Sequence, residues 1–181
     1  MTCEWARQLR GRVTRELSEL KMMLDQRARR RRIPVLEELV KRGIDLHTVR
    51  CPLCDGGVES VEHSLALCPK VHEIWTKVYN WWGFGNVTNL GISEIFCGNA
   101  NKTMLEVGAK IWQAVEWICG YLLWKNRNLK IFKNKYWTPA VALSEIQIVS
   151  YDWVAKRCKS KIIDWHNGST TLTFFFSARV V

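Results

Sequence analysis

Cys51, Cys54, His63 and Cys68 fall within eighteen residues, in the pattern Cys-x2-Cys-x8-His-x4-Cys. Three thiolates and an imidazole make a complete tetrahedral donor set for zinc, and a set that fills every coordination position leaves none for water or substrate. The chemistry this implies is structural: such an ion folds a peptide and hydrolyses nothing. The first pair lies in Cys51-Pro-Leu-Cys54 and runs into Asp55-Gly56-Gly57, where two glycines offer the freedom to turn both sulfurs onto one ion. His63 and Cys68 stand five apart where a helical pattern begins, so one helical turn or a tight turn can present both. His72, four residues past Cys68, is a competing imidazole, but a histidine on the polar face of a helix is ordinarily just solvated, and the spacing prefers His63.

Those ligands need elements to hold them, and the apolar periodicity is helical throughout. Leu17, Leu20 and Leu24 mark a helix from about Thr14 to Arg32, which Pro34 ends. Leu36, Leu39 and Val40 mark a short second one, capped by Gly43 after Lys41-Arg42. Val71, Ile74, Trp75, Val78 and Trp82 recur at three and four, and Gly83-Phe84-Gly85-Asn86 stops that helix. Leu90 to Cys97 is apolar without a readable period. The longest helix spans about Thr103 to Lys133 on a face of Ile111, Val115, Ile118, Leu122 and Leu129. Thr138 and Pro139 open the last, as cap and first helical residue, ahead of Leu143, Ile146, Val149 and Trp153. No strand pattern of any length occurs before residue 165. The expected fold is mainly α, with a small Cys3His zinc knuckle inserted among amphipathic helices.

Composition bounds the rest. A chain of 181 residues can bury a real core, and its seven cysteines leave Cys3, Cys97, Cys119 and Cys158 scattered outside the metal set rather than arranged as a disulfide framework. Met1-Thr-Cys-Glu-Trp-Ala-Arg has no apolar run behind a charged start, so we expect an intracellular protein, nuclear or cytoplasmic and not secreted, whose Asn-x-Ser/Thr sequons carry no sugar. The most apolar stretch, Ile111 to Trp124, includes Gln113 and Glu116 and is shorter than the roughly 20 residues a bilayer needs. A net charge of +10 attracts polyanions. The candidate phosphate contacts are Arg29, Arg30, Arg31 and Arg32, Arg50, and Lys125, Arg127 and Lys130, the last three interleaved with aromatics. Each cluster has a plainer reading. Cations at a helix C-terminus suit the helix dipole, and Trp124 to Lys135 also fits a helix with aromatics turned inward and lysines left wet.

Arg32-Ile-Pro-Val-Leu-Glu-Glu-Leu39, Lys41-Arg-Gly-Ile44, Cys51-Pro-Leu-Cys54, Glu59-Ser-Val-Glu-His-Ser-Leu65, Cys68, Ile74-Trp75 and Trp81-Trp82 together resemble the zinc-binding domain that follows the polymerase in plant LINE-type (non-LTR) retrotransposon reverse transcriptases. The resemblance covers about residues 32 to 165, the block from Ile111-Trp112 to Lys125-Asn-Arg-Asn128 and Phe132 looking like the family's downstream helix. It implies Cys51, Cys54, His63 and Cys68 as ligands and Trp75 as the anchor beneath them. Two departures stand out: the family's usual Trp-Arg element is missing before the Arg-hydrophobic-Pro opening, and Gly168 to Val181 has neither the charge nor the aromatic spacing of what precedes it. An internal deletion and a changed frame or mis-joined exon would account for them. The expected organisation is a basic helical segment at 1–31, a zinc-binding domain at 32–88, a helical region at 89–165 and an atypical tail at 166–181.

No catalysis is expected. A polymerase palm needs paired aspartates for two metal ions; Tyr151-Asp152-Trp153-Val154 has no second acid, and the other carboxylates do not gather into a nuclease motif. The resulting reading is a non-catalytic zinc module from a retroelement polymerase, without its polymerase domain, that binds RNA or DNA non-specifically. The alternative is a protein-interaction module or a remnant without function, motivated by ten tryptophans, more than one small core easily hides.

Overall fold

The computed structural model describes residues 33–85, 91–96 and 106–157, without the side chains at 106, 107, 110 and 155–157. The Thr14–Arg32 helix, Arg29 to Arg32, Cys3, Cys97, Cys158 and the tail from 166 lie outside those residues. Among the described residues the chain is helical with no strand: α1 is Leu36–Lys41, a single π turn is His63–Leu67, α2 is Pro69–Trp81, α3 is Ile92–Phe96, α4 is Glu106–Lys133 and α5 is Pro139–Arg157.

The helix ends follow from residue chemistry. After α1, Gly43 takes φ +80°, and the amides of Gly43 and Ile44 donate to the carbonyls of Val40 and Leu39. After α2, Gly83 takes φ +77°, and the amides of Gly83 and Phe84 donate to Asn80 and Tyr79. Both are Schellman closures, which need a residue that enters the left-handed region without a Cβ penalty. In the second, the Phe84 and Tyr79 rings meet with centroids 5.9 Å apart, the apolar contact that accompanies this motif. α4 stops at Asn134, φ +48°, a residue whose short polar side chain tolerates that conformation. Thr138 starts α5: its Oγ1 accepts from the Val141 amide at 3.4 Å. Within the expected apolar stretch, Ile92–Phe96 forms α3, the Glu62 carboxylate accepting the Ile92 amide at its first residue.

The main core lies between α2, α4 and α5, with the knuckle and the π turn on one side. Its centre is aromatic. Trp112 on α4 meets Tyr79, Trp82 and Phe84 at centroid distances of 4.9, 5.1 and 4.7 Å, while Phe96 stacks on Trp117 at 4.6 Å. Edge-on ring packing of this kind adds about 0.5–1.5 kcal/mol per pair beyond area burial. Cys51 and Cys68 belong to this same core, so α4 and α5 pack continuously with the metal-binding segment. Of the described tryptophans, Trp75, Trp82, Trp112 and Trp117 are buried and Trp81, Trp124, Trp137 and Trp153 half-buried. A second small core joins Ile33, Val35 and Leu65, with Val61, Ile92 and Trp124 packed on it. No described helix is long and apolar enough to cross a membrane.

Candidate metal centre

Cys51 and Cys54 sit on a tight loop closed by backbone pairing. The Cys51 amide donates to the Gly57 carbonyl at 2.7 Å, the Asp55 amide to the Cys51 carbonyl at 2.8 Å, and the Gly56 amide to Cys54 Sγ at 3.4 Å. The left-handed residue of this loop is Asp55, φ +56°, and not either glycine of the pair expected to provide the turn. An aspartate can take that role because its side chain is short and polar. Neither glycine is needed for space: a Cβ on Gly56 would lie 3.7 Å from Cys54 Sγ, and one on Gly57 3.6 Å from His63 Cε1, ordinary contacts.

His63 and Cys68 bracket the π turn, where the Cys68 amide donates to the His63 carbonyl at 2.8 Å. That bond spans five residues. An α-helical turn carries a side chain five residues on well around the axis, whereas the wider π turn brings i and i+5 back to one side. The spacing that looked like either one helical turn or a tight turn is this π turn. Trp75 stabilises it from below: fully buried, it donates Nε1 to the Leu65 carbonyl at 2.8 Å, one of the carbonyls inside the turn.

The four donor atoms converge within 4.8 Å of one another. Cys51 Sγ and Cys68 Sγ are 3.8 Å apart, and His63 Nε2 faces Cys54 Sγ at 3.2 Å. Zn–S bonds of about 2.3 Å subtend a tetrahedral edge of about 3.8 Å, so the sulfur pair already stands at the separation one ion imposes. Cys51 and Cys68 are buried, and Cys54 and His63 half-buried. Between the two thiols, the Cys68 side chain lowers the pKa of Cys51 to about 5, burial opposing it and the amides of Cys54 and Leu53 assisting; Cys68 is pushed up in turn by Cys51 and by burial. The amides of Val71 and Lys70, at the start of α2, pull Cys68 back toward thiolate. A divalent ion would favour thiolate at both sulfurs. Four protein donors can hold one metal ion with no position left open, and His72 is not among them. Residues 19–75 match the family described as zinc-binding in reverse transcriptase.

That match takes in the four converging residues and Trp75. No curated protein and no solved structure gives a significant match. Beyond residue 75, the matched segment is tied to the rest of the chain by Glu59, four residues before His63. Glu59 is fully buried; its Oε1 accepts from Arg127 Nε at 2.7 Å, and its Oε2 accepts from Arg127 Nη2 and from the Leu36 amide at 2.9 Å. Arg127 Nη2 also donates to the Pro34 carbonyl at 3.3 Å, and the guanidinium lies 4.7 Å from the centre of the Trp124 ring.

The expected phosphate contacts therefore divide. Arg50 and Lys125 are exposed; Lys130 is half-buried, with Nζ donating to Asn134 Oδ1 at 2.8 Å. Arg127 is the correction: only 4 % exposed and gripped by Glu59, it presents no free charge to a phosphate. Its helical position carried the signal, since Arg127 is four residues past buried Leu123 and eleven past buried Glu116, on the core side of α4. Asn126, part of the Lys125–Asn128 block, carries a role that the residue pattern does not signal. It is buried, and its Oδ1 accepts the Trp137 amide at 2.7 Å, fixing the turn from α4 into α5.

Proposed function

We propose that this chain is a non-catalytic module stabilised by a structural zinc ion, derived from a retroelement reverse transcriptase, that binds RNA or DNA mainly through phosphates. The observation that carries it is the closed Cys51–Cys54–His63–Cys68 group within a segment similar to the zinc-binding region of reverse transcriptases. A full donor set argues for a folding role for the metal rather than a reactive one. With the ion bound, three thiolates and a neutral imidazole leave the centre at a charge of about −1, so the attraction for polyanions comes from the surrounding lysines and arginines. Exposed Arg50 and Lys125, in a chain of net charge +10, are suited to neutralising phosphates, and nothing in their setting reads base edges. Such a module would work inside the cell, where thiols stay reduced.

The test is titration of the zinc-loaded full chain with fluorescent single-stranded and duplex oligonucleotides across salt concentration. The expected result is sequence-independent binding that weakens steeply as salt rises. Absence of binding at low salt would instead favour a protein-interaction module.

A further inference from the structure

From Trp117 to Ser144 the chain contains no acidic residue, but it holds Lys125, Arg127, Lys130, Lys133 and Lys135. Glu59 neutralises Arg127, which leaves four lysines around the second half of α4 and the turn after it. On α4, Tyr121, Lys125, Asn128 and Phe132 recur at intervals of four, three and four, so they share one face over about 16 Å of helix. That face points outward. Tyr121 is 55 % exposed and Phe132 78 %, the highest value among the exposed large apolar residues described. Lys125 lies between them, its Nζ 5.6 Å from the centre of the Trp137 ring, and Lys133 adjoins Phe132.

We propose that this face binds single-stranded nucleic acid, bases stacking on Tyr121 and Phe132 while Lys125 and Lys133 meet the phosphates between them. The inference rests on the nucleic-acid reading above and deepens it by placing the site and naming the strand state. Two features favour this occupant over a protein. A docking helix for a protein groove presents an unbroken apolar stripe, but here a cation and an amide separate the two rings. The charge of the stretch itself, residues 117–144, is positive with no acidic residue in it, as suits a polyanion. Single strands are favoured over duplex because an exposed ring needs the open face of a base, and a duplex keeps its bases stacked on one another. Aromatic platforms interleaved with cations bind single strands with little sequence preference.

The experiment uses the zinc-loaded full chain and two labelled probes, an oligothymidylate of about 20 nucleotides and a duplex of the same length. The Tyr121→Ala/Phe132→Ala double variant should weaken oligothymidylate binding by about tenfold or more and change duplex binding little. Both side chains are exposed, so its thermal melt and zinc content should match the parent's, separating lost binding from lost folding. Phe132→Trp should retain the affinity and Phe132→Leu should not; rescue by leucine would show a generic apolar contact and overturn the proposal. Lys125→Gln should reduce the salt dependence by about one phosphate contact. Equal loss for both probes, or no loss for either, overturns the stacking site while leaving nucleic-acid binding intact. If the parent chain binds neither probe at low salt, the broader reading fails, and this one with it.

Discussion

Glu59 and Arg127, 68 residues apart, form a buried ion pair that joins the loop carrying the cysteine and histidine group to the C-terminal part of the longest helix. The carboxylate also accepts the Leu36 amide, and the guanidinium reaches the Pro34 carbonyl, so one contact fastens three separate stretches of chain. This relationship assigns Arg127 a job in holding the fold and leaves it out of the proposed nucleic-acid face.

Arg127→Ala would strand a carboxylate that is fully out of contact with solvent. Removing one partner of a buried pair costs about 3–5 kcal/mol. Urea denaturation of the zinc-loaded chain should show a loss of this size. Arg127→Lys should recover only part of it, because an ammonium cannot reproduce the fork that contacts both carboxylate oxygens. A loss below about 0.5 kcal/mol, the level of an ordinary surface substitution, would refute a structural role for the pair.

Metal analysis of purified protein should find one zinc ion per chain, bound by the four converging side chains. Cys51→Ser, Cys54→Ser, His63→Ala and Cys68→Ser should each lower occupancy, and a strong chelator should unfold the knuckle, since metal binding in such sites is folding free energy. His72→Ala should keep its zinc. If His72→Ala lost the metal and His63→Ala kept it, the ligand assignment would be wrong.

Glu116 sits on α4 with both carboxylate oxygens buried and lacking a hydrogen-bond partner. Burial pushes its pKa up to about 8, against a smaller opposing contribution from Trp112. The native state therefore holds this proton over a pH range in which the unfolded chain has released it. The pH-linked part of the cost is absent below the unfolded value near 4.5, and stability falls as pH rises from there through about 8. Unfolding free energies measured from pH 5 to pH 8 should decline by a few kcal/mol, and Glu116→Gln should flatten the decline. Stability that rose over this interval in the parent and not in the variant would contradict the assignment.

Trp75→Phe keeps an aromatic ring under the metal loop but removes the Nε1 donor that satisfies the Leu65 carbonyl. An acceptor left unsatisfied in a buried site costs about 1–3 kcal/mol. Because that carbonyl belongs to the π turn presenting His63 and Cys68, zinc affinity should fall along with thermal stability while stoichiometry stays the same. Competition with a colorimetric chelator would read the affinity, and an unchanged value would dissociate the anchor from the metal group.

Much of this protein is local and was therefore legible in the residue order. Helix faces follow from apolar spacing, Gly43 and Gly83 end their helices because a Schellman closure needs a residue without Cβ, and Thr138-Pro139 begins one for equally local reasons. The donor set was legible too, because four ligands within eighteen residues need only one loop and one turn to meet. What only the tertiary structure decided depends on residues distant along the chain. The helical position of Arg127 places it on the core side of α4, but nothing local to it specifies Glu59, 68 residues earlier, as its partner. Asn126 as the brace for Trp137, and the π turn that brings His63 and Cys68 to one side, likewise depend on how the backbone closes. The division has one physical cause: propensity and periodicity act over a turn or two of chain, whereas burial, and with it the partner each charge must find, is set by the packing of whole helices.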